Sequence, residues 1–385
     1  MSERYPSHST PFVAVLALAL GIAAIGSNSL LLSPLLPQVA TSLGTTPLRV
    51  SWASAAYGGA TALSAFFLAP RIDGLGLRRA VMLGLAALIA ATAGAALSPH
   101  WLWLVAAQAL AGLGAGIALP ATYALASVVA LPGQEAKTVG RVLSGWAVSL
   151  VAGIPIAAFI ADRLGWRAAF VAVALAAALA VAGIASLSSR PPATSAGRPG
   201  VLAPLRYAGV PRLLLICFGF MAAFYGVYAF LGDHVAGQLG LSTAQTGLLV
   251  LSYGVGFGLA SLGDGLVDRF GPRRIFPLAM LSVALLYTAM LPGARHIAII
   301  AALGGLWGFC NHFALNILVL LLVQARPDER GAVLGLNSAV TYLASLIGVA
   351  VAGPVYDQAG FGPLALGAGA VMLGVTALAF SASAR

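Results

Sequence analysis

The amino-acid sequence predicts an all-α membrane protein of twelve transmembrane helices, arranged as two pseudo-symmetric six-helix bundles. Three observations predict it. Mean hydropathy is +0.98 and only 8% of the 385 residues are charged, against roughly 25% in a soluble domain. Apolar runs close to the ~20 residues that cross the hydrocarbon recur along the whole chain. A short motif, Asp73-Gly-Leu-Gly76-Leu-Arg78-Arg79, returns 195 residues later as Asp268-Arg-Phe-Gly271-Pro-Arg273-Arg274, the mark of a tandem duplication of one membrane unit.

Residues 1–11 are polar and form a short tail. The run 12–32 is too long for the apolar core of a signal peptide, about 7–15 residues, and Ser33-Pro34-Leu-Leu-Pro37 after it is no cleavage site. It is therefore expected to be the first crossing, ending before the prolines. Further helices are expected near 50–69, 80–97, 101–129, 139–160 and 168–187. After the polar, Pro- and Arg-containing stretch 188–207 they continue near 210–231, 246–266, 275–291, 296–323, 332–355 and 362–380. The domains are then 1–187 and 209–385, with 188–208 a semi-stiff basic tether.

Charge orients the chain. With both termini in the cytoplasm, the cytoplasmic segments hold 16 of the 20 Lys and Arg, and the outer loops hold Arg49, Arg163, Arg167 and Arg295. The positive-inside rule selects this topology. The same distribution argues against nucleic-acid binding, because the net charge of +10 is spread over alternate loops. The duplication reaches further: Asp162-x-x-Gly165-Trp166 recurs as Asp357-x-x-Gly360-Phe361, again 195 apart. Gly140-x-Val142-Leu143 matches Gly331-x-Val333-Leu334 at 191, which suggests an extra turn within the eleventh helix.

Cys217 and Cys310 stand singly in apolar runs, as small core residues do. No GxxxxGK, HExxH or GxSxG motif is present, so no enzyme activity, cofactor or metal site is expected.

These features together resemble the major facilitator superfamily, whose best-known signature the two Asp-x-x-Gly-x-Arg-Arg loops are similar to. The resemblance covers the whole chain. It implies two lobes around a central cavity that rock between inward-open and outward-open states. Ala106-Ala-Gln108-Ala-Leu-Ala-Gly112-Leu-Gly-Ala-Gly116, and more loosely Gly153-Ile-Pro155, resemble motifs of the bacterial drug and sugar efflux branch, in the inner cell membrane. The chain departs from the pattern in having Gln108 in place of Arg. It also has Ala69 and Asp264 where the loop signature opens with Gly.

A carboxylate near a helix N-terminus is favourable by roughly 0.3–1 kcal/mol when exposed. Asp73 and Asp268 are therefore expected to act in gating by docking on helix starts. Arg78, Arg79, Arg273 and Arg274 would pair with them or with lipid phosphates, or anchor helix ends. Asp264 lies one turn before Asp268, so the two carboxylates would repel unless an Arg intervenes.

Charge at a helix centre costs about 2.5–3.5 kcal/mol, and the sequence places none there. The cavity is therefore expected to be near-neutral. Its candidate lining is Asn28; Gln108 and Tyr123, in line with Gly112 and Gly116; Tyr225 and Tyr228; Asn311, His312 and Asn316; and Asn337, Thr341 and Tyr342. Interhelical hydrogen bonding is the other role for each of these. His312 is the one ionisable group placed near mid-membrane, as a proton site, a substrate hydrogen bond or a structural group. Asp233 and His234, at an outer helix end, are a second proton-coupling candidate.

The expected function is proton-coupled efflux of a small neutral or weakly polar organic compound by a monomer embedded in the lipid bilayer. An uncoupled facilitator or importer, and a non-transporting membrane sensor, are the alternatives.

Overall fold

A computed structural model describes residues 9–68, 76–131, 133–187, 202–293, 296–326 and 330–383. They are helical almost throughout. The helical segments in order are α1 (Ser9–Leu30, continued as Leu32–Ser42), α2 (Pro47–Leu63, continued by the π turn Ser64–Leu68), α3 (Leu77–Ala96) and α4 (Trp101–Val129). Next come α5 (Glu135–Val148, the π turn Ser149–Gly153 and Ile154–Leu164) and α6 (Trp166–Ala185). The second half has α7 (Val210–Leu239), α8 (Thr243–Ala260, the 3-10 turn Ser261–Gly263 and Asp264–Phe270), α9 (Pro272–Gly293), α10 (Ile297–Ala325), α11 (Arg330–Ala359) and α12 (Phe361–Ser383). Among the described residues, eleven helices are long and apolar enough to cross a membrane. The α-helical part of α2 is 17 residues.

The duplicated motifs are turns. Gly76, Gly165, Gly271 and Gly360 all have φ between +80° and +87°, a region that costs residues with a Cβ dearly. They form two pairs 195 residues apart, at the α2–α3 and α8–α9 joints and at the α5–α6 and α11–α12 joints. The amides of Gly165, Gly271 and Gly360 each bond the carbonyl four residues back, all at 2.9 Å, which closes the preceding helix. Other starts are capped by side chains: Thr46 Oγ1 accepts from Arg49 N, and Ser242 with Gln245 forms a reciprocal capping box.

The first helix ends at Leu30, before Pro34 and Pro37, and a separate piece, Leu32–Ser42, follows after Leu31. Pro34 falls in the first turn of that piece, where no intrahelical N–H is needed. The C-terminal ends of α5 and α11, Leu164 and Ala359, are 195 residues apart.

Helix pairs repeat between the halves. α1–α5, α1–α6, α2–α4, α3–α4 and α3–α6 pack in the first half, and α7–α11, α7–α12, α8–α10, α9–α10 and α9–α12 in the second. Small residues allow the close approach. On α4, Gly112 faces the Tyr57 carbonyl and Gly116 faces Ser64 of α2, while Gly114 and Gly84 bring α4 and α3 together. The expected polar stripe along α4 is therefore largely a packing seam.

The halves meet at three seams: α2 with α11, α5 with α8, and the second piece of α1 with α7. At the first, a Cβ on Gly58 would lie 2.8 Å from Ser345 Oγ and 3.0 Å from the Tyr342 carbonyl.

Gly112→Val should destabilise the protein by about 1–3 kcal/mol, the usual cost of overpacking, because its new side chain would meet backbone. Gly237→Ala, with open space around it, should not. Thermal unfolding midpoints of the two variants in one detergent check this.

Candidate functional site

Between the halves, tyrosines from four helices converge. Tyr57 of α2 meets Tyr342 of α11 edge-on, with ring centroids 6.3 Å apart. Tyr123 stands on α4, which packs on α2, and Tyr225 on α7, which packs on α11. Tyr57 and Tyr342 are buried, and Tyr123 and Tyr225 are half-buried. The Tyr123 hydroxyl accepts a 3.1 Å hydrogen bond from the indole of Trp146 on α5. Behind Tyr225, Thr341 and Cys217 touch through Oγ1 and Sγ at 3.4 Å. Asn337, one turn from Thr341, is buried with its carbonyl oxygen unpartnered.

Asn28 and Gln108 pair with each other inside the first half. Asn28 Nδ2 donates to Gln108 Oε1 at 2.9 Å, and Gln108 Nε2 donates back to Asn28 Oδ1 at 3.2 Å. Both are almost fully buried. The amide that replaces Arg in the fourth-helix motif is thus used to join α4 to α1.

In the second half an aromatic group surrounds Trp307. Phe224, Tyr228, Tyr253 and Tyr287 all lie within 6.5 Å of its ring. Asn311 donates to the Tyr253 hydroxyl at 3.0 Å. Tyr228 belongs to the seam with α1: its hydroxyl donates to the Leu30 carbonyl at 3.3 Å, and its own carbonyl accepts from Ser33.

His312 does not stand alone. Its Nε2 is 2.9 Å from Asp264 Oδ1 and 2.9 Å from Asn316 Nδ2. The ring is buried against the edges of Phe257 and Phe313, and Nδ1 is buried with no partner. Asn316 is exposed, and the Asp264 side chain is 51% exposed. One nitrogen faces a carboxylate and an amide N–H together, and it has either a proton to give or a lone pair to receive one. The two neighbours therefore favour different tautomers of the ring. His312 thus has beside it a carboxylate, Asp264, that the sequence had paired only with Asp268.

The other candidates fall elsewhere. Asp73 lies outside the described residues. Arg78 donates to the Ala185 carbonyl at the end of α6, a cation on a helix C-terminus. Arg79, Asp268, Arg273 and Arg274 are exposed at the α2–α3 and α8–α9 joints. Asp233 accepts from the Tyr356 hydroxyl at 2.6 Å, while the neighbouring His234 stacks on Phe361 at 4.4 Å. They face different partners on one open recess of about 540 Å³ that Pro37 of α1 also lines. At the α5–α8 seam, Asp162 accepts from the backbone N–H of Ala244 at the start of α8, at 3.3 Å.

Sequence reasoning missed Tyr57, Trp146, Tyr253 and the use of Asp264. Tyr57 and Tyr253 were legible as polar-tipped residues inside otherwise apolar runs. The joining of Asp264 to His312, 48 residues on, leaves no local pattern.

Asn28→Leu should cost about 1–3 kcal/mol because it strands the Gln108 amide in the interior. The double variant Asn28→Leu with Gln108→Leu should recover part of that loss. A double-mutant cycle on thermal unfolding measures the coupling.

The Major Facilitator Superfamily model matches residues 16–261 and 213–384. The chain is 28% identical over 383 residues to the uncharacterized MFS-type transporter YwfA of Bacillus subtilis, covering 97% of this chain and 92% of that protein. It is 27% identical over 373 residues to the transcription regulatory protein OpdE of Pseudomonas aeruginosa, 92% of this chain and 90% of that one. It is 29% identical over 276 residues to a chloramphenicol resistance protein of Streptomyces lividans, 69% of this chain and 68% of that one. With its multi-pass helical architecture and a match along nearly its whole length, the chain belongs to the Major Facilitator Superfamily of membrane transporters.

Proposed function

We propose that this protein is a secondary active transporter that exports a small neutral or weakly polar organic compound in exchange for protons by alternating access. The continuous helical run 47–68 serves as a twelfth crossing. Residues 1–187 and 209–385 form two lobes, both termini lie in the cytoplasm, and the membrane is the bacterial inner membrane. The five helix pairs repeated in each half support the lobes, and the distribution of Arg supports the orientation.

The observation that carries the proposal is the closure between the halves near the ends away from the basic loops, where Tyr228 is bonded to Leu30, Gly232 lies against Ser33 and Asp162 accepts from Ala244. Beside His312 the second half carries exposed polar groups, Asn316 and Asp264, which suits a path to water on the side of the basic loops.

The tyrosines between the lobes suit a substrate without charge, since neither an ammonium nor a phosphate would find a counter-ion among them. The name of the chloramphenicol resistance relative supports efflux of such a compound. His312 with Asp264 is the coupling site: a proton shared by the pair is held when the lobes open one way and lost when they open the other.

Purified protein in liposomes, loaded with chloramphenicol or a library of neutral compounds, should move substrate faster when a pH gradient is imposed. His312→Gln should abolish that acceleration and leave substrate counterflow intact. Gradient-driven movement unchanged in the variant would remove His312 from the mechanism. Movement indifferent to any gradient would make the protein a facilitator. Binding without movement would favour a sensor, the role to which the relative named as a transcription regulatory protein points.

A further inference from the structure

The open recess of about 540 Å³ at the end of α7 is walled by both halves. Asp233, His234, Gln238 and Gly240 come from α7 and the turn after it, Tyr356 from α11, and Pro37 from the second piece of α1. Its volume falls in the range of small-molecule sites, roughly 300–1,000 Å³. The charge there is negative from two directions. The Asp233 carboxylate accepts from the Tyr356 hydroxyl at 2.6 Å, the short distance of a bond to an ionised acceptor. That one bond uses only part of what a carboxylate can accept, so a second donor has a place. α7 also ends at the recess, where its last carbonyls form the negative pole of the helix dipole, and its last turn holds no basic residue. Among the described residues, no Lys or Arg lines the recess.

We infer that this recess is a binding site for an organic ammonium ion, held by Asp233 and separate from the tyrosines between the halves. An ammonium carries donors and no acceptor, which complements a carboxylate and the end of a helix. A bare metal ion fits less well, because among the described residues no group of three His, Cys, Asp or Glu side chains could hold one. The other walls suit the carbon part of an amine. Pro37 and Leu241 present hydrocarbon. The His234 ring lies flat on Phe361 with centroids 4.4 Å apart, and the Tyr356 ring is stacked on Phe230 at 4.7 Å. Aromatic rings beside a carboxylate add their own attraction for a cation. Because Pro37 belongs to the first half and Asp233 to the second, an occupant touches both. A free amine and the ethanolamine headgroup of a lipid offer the same ammonium chemistry.

The test uses benzylammonium and benzyl alcohol, which share a shape and differ in charge. Both are titrated by saturation-transfer NMR into full-length protein in phosphatidylcholine nanodiscs, with empty nanodiscs subtracted. The buffer is at about pH 7.5, where a carboxylate and an alkylammonium are both charged in water. Wild type should bind benzylammonium roughly tenfold or more tightly than benzyl alcohol, the effect of a hydrogen bond to a charged group. The margin should shrink as salt is added. Asp233→Asn keeps an oxygen for the Tyr356 hydroxyl but loses the charge, so it should bind the two compounds alike. Gly237 also lines the recess, and a Cβ there meets no atom within 4 Å. Gly237→Phe should therefore fill the space, lower the affinity for benzylammonium roughly tenfold or more, and leave the unfolding temperature at the wild-type value. Equal binding of the two compounds by wild type, wild-type discrimination in Asp233→Asn, or undiminished binding in Gly237→Phe would each overturn the inference. Repeating the wild-type titration in nanodiscs that contain phosphatidylethanolamine separates the two sources. Weaker apparent binding of benzylammonium there marks the headgroup as the occupant, and unchanged binding marks a free amine.

Discussion

The contact on which this architecture depends is that of helix backbone against helix backbone. Inside a bilayer, apolar side chains gain little by leaving lipid for protein, so helices associate through close packing and hydrogen bonds. Here glycines provide the closeness. Gly256 lies against Gly305, Gly308 against the Tyr253 carbonyl, Gly348 against Ala222 and Gly145 against the Ala19 carbonyl. The same device works within each half and between the halves, where Gly58, Gly232 and Gly254 sit on the partner half. Seams made of glycine and dispersion contacts separate at lower cost than seams made of buried ion pairs, whose charges would be left uncompensated.

Polar groups at depth are few, and most are committed to a neighbour. Asn28 is joined to Gln108, Asn311 to Tyr253, Trp146 to Tyr123 and Asp233 to Tyr356. Each of these pairs ties one helix to another. Buried polar atoms left without a partner include Asn337 Oδ1, Asn311 Oδ1 and His312 Nδ1. These three come from α11 and α10, both in the second half.

The family and the helical nature of the fold were legible in the sequence because both follow from chain-local quantities. Apolar run length marks the helices, and the glycine of Asp-x-x-Gly marks the turn, which requires positive φ. The second piece, Leu32–Ser42, was not legible, because Pro34 and Pro37 read as a stop and a first-turn proline reads the same way. The candidate site was legible only by residue type. Tyr225 and Tyr342 stood out as aromatic residues with polar tips, yet nothing local said that they would meet Tyr57 across the seam. Gln108 looked like a lining residue because its partner lies 80 positions away on another helix. Pairing across helices depends on the rotation of each helix about its axis, which hydropathy leaves undetermined when nearly every face is apolar.

The two halves have diverged in a directional way. Asp264 occupies the position that Ala69 holds in the first copy, so only the second copy sets a carboxylate beside a histidine. At the α5–α8 seam the acceptor is a side chain, Asp162, but the donor is main chain, the N–H of Ala244. Residue 244 can therefore drift to any amino acid except proline and keep its share of the bond, whereas position 162 has almost no freedom. Selection on that bond is one-sided, and among descendants of this sequence the start of α8 should vary while the end of α5 stays acidic.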